Sequence, residues 1–180
     1  LPSIQCAPRV VPTTHPQANA FLVVWYNTPS AVPSYISARR VFADGSGFPP
    51  GDGFTVASDL VTDRANPDVA YNLARNEYLV VYSENSLDIA GQRMTWEGVL
   101  LGGELGIAGW PSPERLPRVA ANASADQYFV VWQSLIDNKD HDIYGRFLDG
   151  EHVLHRRCCG CTSQHGGGQN CGDDHSLACA

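Results

Sequence analysis

Apolar residues in this chain come in short runs, and three of the runs are near copies of one another. Phe21-Leu22-Val23-Val24-Trp25, Tyr78-Leu79-Val80-Val81-Tyr82 and Tyr128-Phe129-Val130-Val131-Trp132 each put apolar side chains on both alternating faces. A strand with one wet face alternates apolar and polar residues, whereas a strand covered on both faces need not. A proline-led segment precedes each run: Pro8-Arg9-Val10-Val11, Pro67-Asp68-Val69-Ala70 and Pro117-Arg118-Val119-Ala120. After a polar turn come Ile36-Ser37-Ala38-Arg39-Arg40, Ile89-Ala90-Gly91-Gln92-Arg93 and Ile143-Tyr144-Gly145-Arg146. These lead into Asp44-Gly45, Glu97-Gly98 and Asp149-Gly150, which are tight-turn signals because glycine accepts positive φ. Copies one and two add a fourth run, Phe54-Thr55-Val56-Ala57 and Leu105-Gly106-Ile107-Ala108. Copy three has at most Glu151-His152-Val153-Leu154 in that place. Helical periodicity is not sustained anywhere. The pattern predicts an all-β chain of three four-stranded units, with the Val-Val strands buried on both faces. Self-similarity at such a period marks arrays, propellers and internally symmetric folds.

Blades of a β-propeller bury both faces against neighbouring blades, which fits the doubly apolar strands. The copy number fits a β-trefoil-like threefold fold instead, and another β-array stays open. The segment Glu77-Tyr78-Leu79-Val80-Val81-Tyr82, followed by Asp88-Ile89-Ala90-Gly91-Gln92-Arg93, resembles a repeat of bacterial secreted proteins. Asp142-Ile143-Tyr144-Gly145-Arg146 resembles it too. The resemblance runs over about residues 6–150 and implies propeller-type blades. It implies no shared catalytic set. Copy one departs from it with Ser34-Tyr35 where the acidic residue would stand, and copy three reads as one residue shorter around Gly145-Arg146. Closed propellers have four to eight blades. Three units therefore predict association with further copies or membership of a longer polypeptide, through strand edges left at both ends. Cys6 is expected near such an edge, where a preceding unit's fourth strand would lie around Ile4.

Composition divides the chain into a three-repeat domain, 1–154, and a Cys/Gly/His-rich tail, 155–180. Five of the six cysteines, Cys158, Cys159, Cys161, Cys171 and Cys179, lie in the tail, and Cys6 stands alone near the start. An even count in a glycine-rich setting points to disulfides and a secreted, extracellular location. Six cysteines leave the pairing open. The tail also carries His165 and His175, but its Cys158-Cys159 adjacency suits a tetrahedral metal site poorly. A net charge of −7 with scattered arginines argues against nucleic acid as a partner. The apolar runs are far shorter than the ~20 residues of a membrane-spanning helix.

Candidate chemistry is sparse. Asp137, Asp140 and Asp142, with Asn138, form an oxygen-rich turn that could hold calcium, although EF-hand spacing is missing. The equivalent turn of copy two has only Glu84 and Asp88. No other cofactor is indicated. Asp173, Asp174, His175 and Ser176 are triad residue types, but triads are set by spatial geometry rather than adjacency. A glycosidase needs two carboxyl groups facing each other across a cleft, and no such pair stands out in the repeats. Asn122-Ala123-Ser124 fits the glycosylation pattern. Trp96 and Trp110 fall in turns, where aromatic faces suit sugar rings, whereas Trp25 and Trp132 read as core. Taken together, the residues point to a secreted non-enzymatic binding or self-assembling scaffold module with protein or glycan partners. The alternative is an extracellular glycan hydrolase or lectin-like domain on the same framework.

Overall fold

The computed structural model describes residues 3–45, 53–109, 112–136 and 140–149, together with the backbone of strands 154–159 and 176–177. Every regular element among them is a strand. The first sheet is β1 (Ile4–Thr13), β2 (Ala20–Thr28), β3 (Tyr35–Phe42) and β4 (Phe54–Ala57), paired in chain order. The second is β5 (Arg64–Asn72), β6 (Glu77–Glu84), β7 (Asp88–Thr95) and β8 (Leu100–Ala108). The third is β9 (Glu114–Asn122), β10 (Gln127–Ile136), β11 (Asp140–Asp149) and β12 (Leu154–Cys159), and β13 (Ser176–Leu177) runs parallel to β12. Four consecutive strands of each sheet form an antiparallel meander, so the three units are separate blades and do not interlace as trefoil units would.

The blades stand side by side, with β5 lying against both β1 and β9. First strands thus gather on the inner side and fourth strands lie outside. Two apolar cores result, one per boundary. Leu22, Val24, Ile36 and Ala38 of blade 1 meet Val69, Tyr78, Val80 and Tyr82 of blade 2. Leu79, Val81, Ile89 and Ile107 of blade 2 meet Tyr128, Val130, Trp132 and Leu148 of blade 3.

Turn chemistry follows the sequence. Gly45 and Gly98 take φ of 82° and 98° in the acidic-Gly turns. The first hairpin of each blade ends on a left-handed Asn19, Asn76 or Asp126, side chains that tolerate this region. Every inner strand is bulged just before its proline, at Ala7, Asn66 and Leu116, and all three have positive φ.

Four sequence expectations need correction. Only β6 of blade 2 is buried along both faces. In β2 and β10 burial alternates, because blades 1 and 3 have a neighbouring blade on one side only. Copy three is not shorter: Gly91 pairs with Val81 and Gly145 with Val131, so Arg146 occupies the register of Gln92 without a gap. Ile4 and Cys6 belong to β1 itself, opposite Thr28 and Tyr26, rather than to a preceding unit's strand. The fourth strand of blade 3 begins at Leu154, where the sequence had suggested a strand ending there.

Candidate functional site

At the end of the blades where the inner strands start, one transverse row of residues is polar in all three. Cross-strand pairing gives Gln5–Asn27–Tyr35 in blade 1, Arg64–Glu84–Asp88 in blade 2 and Glu114–Ser134–Asp142 in blade 3. Most of this row is buried, including Asn27, Arg64, Glu114, Ser134 and Asp142. Just inside it, the aromatic that follows each Val-Val pair donates to a polar group at this level. Trp25 Nε1 reaches Asn27 Oδ1 at 3.2 Å, Tyr82 Oη reaches Glu104 Oε2 at 2.5 Å, and Trp132 Nε1 reaches Glu114 Oε1 at 2.9 Å. Buried indole and phenol groups need such partners.

Blade 2 concentrates the charge. Arg64, 5 % exposed, opens β5. Its guanidinium contacts Asp59 at 2.9 Å, Glu84 at 3.0 Å and Glu104 at 3.1 Å, so three carboxyl groups share one cation. Burial first, and then the neighbouring Glu104 charge, push the Glu84 carboxyl above its usual range, while Arg64 pulls it down. Asp59 moves the other way, held well below the ordinary carboxylate range chiefly by the backbone N–H of Val61, with Thr62 and Arg64 adding to it. Burial, reinforced by Glu104, raises Tyr82 so that it remains a phenol donor. The cluster therefore favours a proton on the Glu84 side at pH values where an exposed carboxyl has lost its own.

Glu84 also borders a cleft of about 480 Å³ between blades 2 and 3. Asp88, Ile89, Gly106 to Gly109 and Arg146 line the rest of it. Glu84 and Asp88 are opposite each other across the β6–β7 ladder, which brings their Cβ atoms within ~5.5 Å. The Arg146 guanidinium is anchored on the Ile107 carbonyl across the blade boundary. Glu84 and Asp88 are thus adjacent acidic residues in the lining, beside an arginine, while the Glu84 carboxyl itself is engaged by Arg64 and, in register with Tyr82, leaves its strand on the blade 1 side.

Near the inner strands, the Val119 N–H donates to Asp68 Oδ2 at 2.9 Å, and Arg9 Nε lies 3.8 Å from Asp68 Oδ1. These contacts tie three consecutive inner strands together.

The sequence-predicted residues are dispersed. Trp96 is half-buried at the opposite end, stacked on His15 with ring centroids 4.5 Å apart and with Arg40 5.3 Å from its ring. Asp140 is exposed and Asp142 buried, whereas Asp137 and Trp110 lie outside the described residues. Cys6 is a free thiol beside Tyr26, whose phenol is raised by burial and then by that neighbour. The remaining cysteine side chains, those of Cys158, Cys159, Cys161, Cys171 and Cys179, lie outside the described residues. Among the described residues no group of three or more His, Cys, Asp or Glu could hold a metal ion, and no helix is long and apolar enough to cross a membrane. Sequence reasoning named Glu84 and Asp88 only as the acids of a turn. It had no means of joining Arg64 to Glu104, which lie forty residues apart in the chain.

No protein-family model and no curated protein matches the sequence. Solved structures do. A GH43 endo-arabinanase from Bacillus licheniformis superposes with a TM-score of 0.54 at 13% identity, covering 89% of this chain and 60% of that one. The native arabinanase of Bacillus subtilis gives 0.56 at 13% identity, covering 90% and 60%. These arabinanases are five-bladed β-propellers. The fold is propeller-type. At this identity the likeness concerns the fold alone, and the chain spans about 60% of the length of the structures it matches. Three four-stranded blades correspond to that share of five.

Proposed function

We propose that this chain is a glycan-acting propeller unit, with the cleft between blades 2 and 3 as its sugar-facing site. The observation that carries the reading is the pair Glu84 and Asp88 at the cleft, with Glu84 raised by burial and by Glu104. Glycoside hydrolysis uses two carboxyl groups, one retaining a proton for the leaving oxygen and one ionised. Glu84, raised by burial, is suited to the first role, and Asp88, opposite it on the ladder, is the second carboxyl group. Arg146 supplies hydrogen-bond donors for sugar hydroxyl groups at the same cleft. That the matched solved structures are arabinanases supports a glycan over other ligands, and it favours this reading over a purely non-enzymatic scaffold. An extracellular location accords with a polysaccharide substrate.

The test is reducing-end release from a panel of plant polysaccharides, arabinan included, by the chain and by Glu84→Gln and Asp88→Asn. Activity should fall by roughly two orders of magnitude or more in each variant, the scale of general acid–base catalysis. Glycan binding without release, weakened in the same variants, would make the unit lectin-like. Release or binding that survives both substitutions would dismiss this cleft.

A further inference from the structure

The two internal blade boundaries are built from the same registers. On the leading face, Leu22, Val24 and Ile36 of blade 1 correspond to Leu79, Val81 and Ile89 of blade 2. On the trailing face, Tyr78, Val80 and Tyr82 of blade 2 correspond to Tyr128, Val130 and Trp132 of blade 3. Both boundaries therefore set aliphatic side chains against an aromatic pair flanking a valine, and all of these side chains are buried. A backbone bond repeats as well: the Arg64 N–H donates to Ser34 O at 2.9 Å, and the Glu114 N–H donates to Leu87 O at 3.0 Å.

Both halves of a third such boundary are present and, among the described residues, partly exposed with no sheet packed on them. Blade 3 carries Phe129, Val131 and Ile143 at the leading positions, and Ile143 is 49 % exposed where Ile36 and Ile89 are 0 %. Blade 1 carries Phe21, Val23 and Trp25 at the trailing positions, beside Val10, which is 63 % exposed where Val69 is 6 %. Apolar residues are kept at these registers, with Phe129 where blades 1 and 2 carry leucine, and among the described residues no further sheet lies against them. The repeat also places the Gln5 N–H as the equivalent donor and the His141 carbonyl as the equivalent acceptor.

We infer that the leading face of blade 3 receives the trailing face of blade 1 from a second copy of this chain. The occupant is specified by the repeat: a face built for an aromatic–valine–aromatic strand meets Phe21-Val23-Trp25, which the same chain supplies. Two copies joined head to tail at both ends make six blades, within the four-to-eight range of closed propellers. Closing at six rather than five changes the turn per blade by ~12°. If the rotation does not close, the same contact propagates as an open series. The inference does not depend on the glycan reading.

Sedimentation and light scattering of the whole chain, from about 1 to about 100 μM, test it. The expected species is twice 19.5 kDa, or a longer head-to-tail series. Ile143→Lys and Val10→Asp each place a charge on one of the two faces and should each weaken association by more than about tenfold. Both positions are exposed in the single chain, so circular dichroism and melting should match the parent. Mixing the two variants leaves one boundary unaltered and sets the introduced lysine against the introduced aspartate at the other, so association should return. A chain that stays monomeric throughout, or an oligomer indifferent to both substitutions, overturns the inference. An oligomer that mixing fails to restore overturns the head-to-tail arrangement.

Discussion

Replacing Arg64 by leucine isolates the electrostatics of the polar row. The guanidinium is buried and holds Asp59, Glu84 and Glu104 within 2.9–3.1 Å. Leucine keeps much of the apolar stem but leaves three carboxyl groups with no cation among them. Breaking a buried pair by removing one partner costs about 3–5 kcal/mol. For a chain of this size that lowers the melting temperature by roughly 6–20 °C. The loss must depend on pH. Glu84 is raised in the folded state, so around and above the ordinary carboxyl value of about 4.3 the folded protein holds a proton that the unfolded chain has released. Stability attributable to this group is therefore greatest at low pH and declines as pH climbs through the folded value. Arg64 opposes that rise, so Arg64→Leu raises Glu84 further and deepens the decline. Asp59 behaves oppositely: its depressed value contributes stability above 3.8 that is lost as pH falls. That contribution largely persists in the variant, because the Val61 N–H is its leading cause. Urea unfolding of both proteins at about pH 4 and pH 7 measures the difference. The destabilisation should be clearly larger at pH 7. An equal loss at both values, or a variant as stable as the parent at pH 7, would refute the electrostatic account.

Two further perturbations probe the blades themselves. Leu116→Gly relieves a left-handed residue at φ 54° on an exposed bulge and should stabilise the chain by about 1 kcal/mol in chemical denaturation; a loss of stability would show that the leucine side chain matters more than its backbone. Gly91→Ala would set a Cβ 2.9 Å from Ile107 Cδ1 and 3.3 Å from the Val80 carbonyl, so a cost of about 1–3 kcal/mol is expected, and a neutral result would show that the boundary can open at no cost.

The repeat was legible because one physical demand, burial between neighbours, writes the same apolar run three times. Its β character and four-strand unit followed directly. What the run could not reveal was which copies have neighbours: Val23 and Val80 read identically, yet only Val80 is fully covered. The gap inferred beside Gly145 arose from aligning Arg146 with Arg93 by residue type, whereas the ladder aligns it with Gln92. Glu84 and Asp88 were visible as residues but not as a pair, since their significance depends on Arg64 from the preceding strand and Glu104 from the outer one. Trp96 looked like a loop aromatic because the sequence does not show that His15 of the preceding blade stacks on it.

The bulged prolines of the inner strands also govern how such a molecule can stick to others. Pro8, Pro67 and Pro117 each lack an N–H, and the left-handed residue before each throws the ladder out of step. A foreign strand approaching the axial edges finds interrupted hydrogen bonding there, one of the ways proteins blunt sheet edges against fibril growth. The sticky surfaces that remain are flat apolar faces, whose fit depends on side-chain shape rather than on generic backbone pairing. Three blades can therefore leave large apolar areas open while still discriminating among what docks on them.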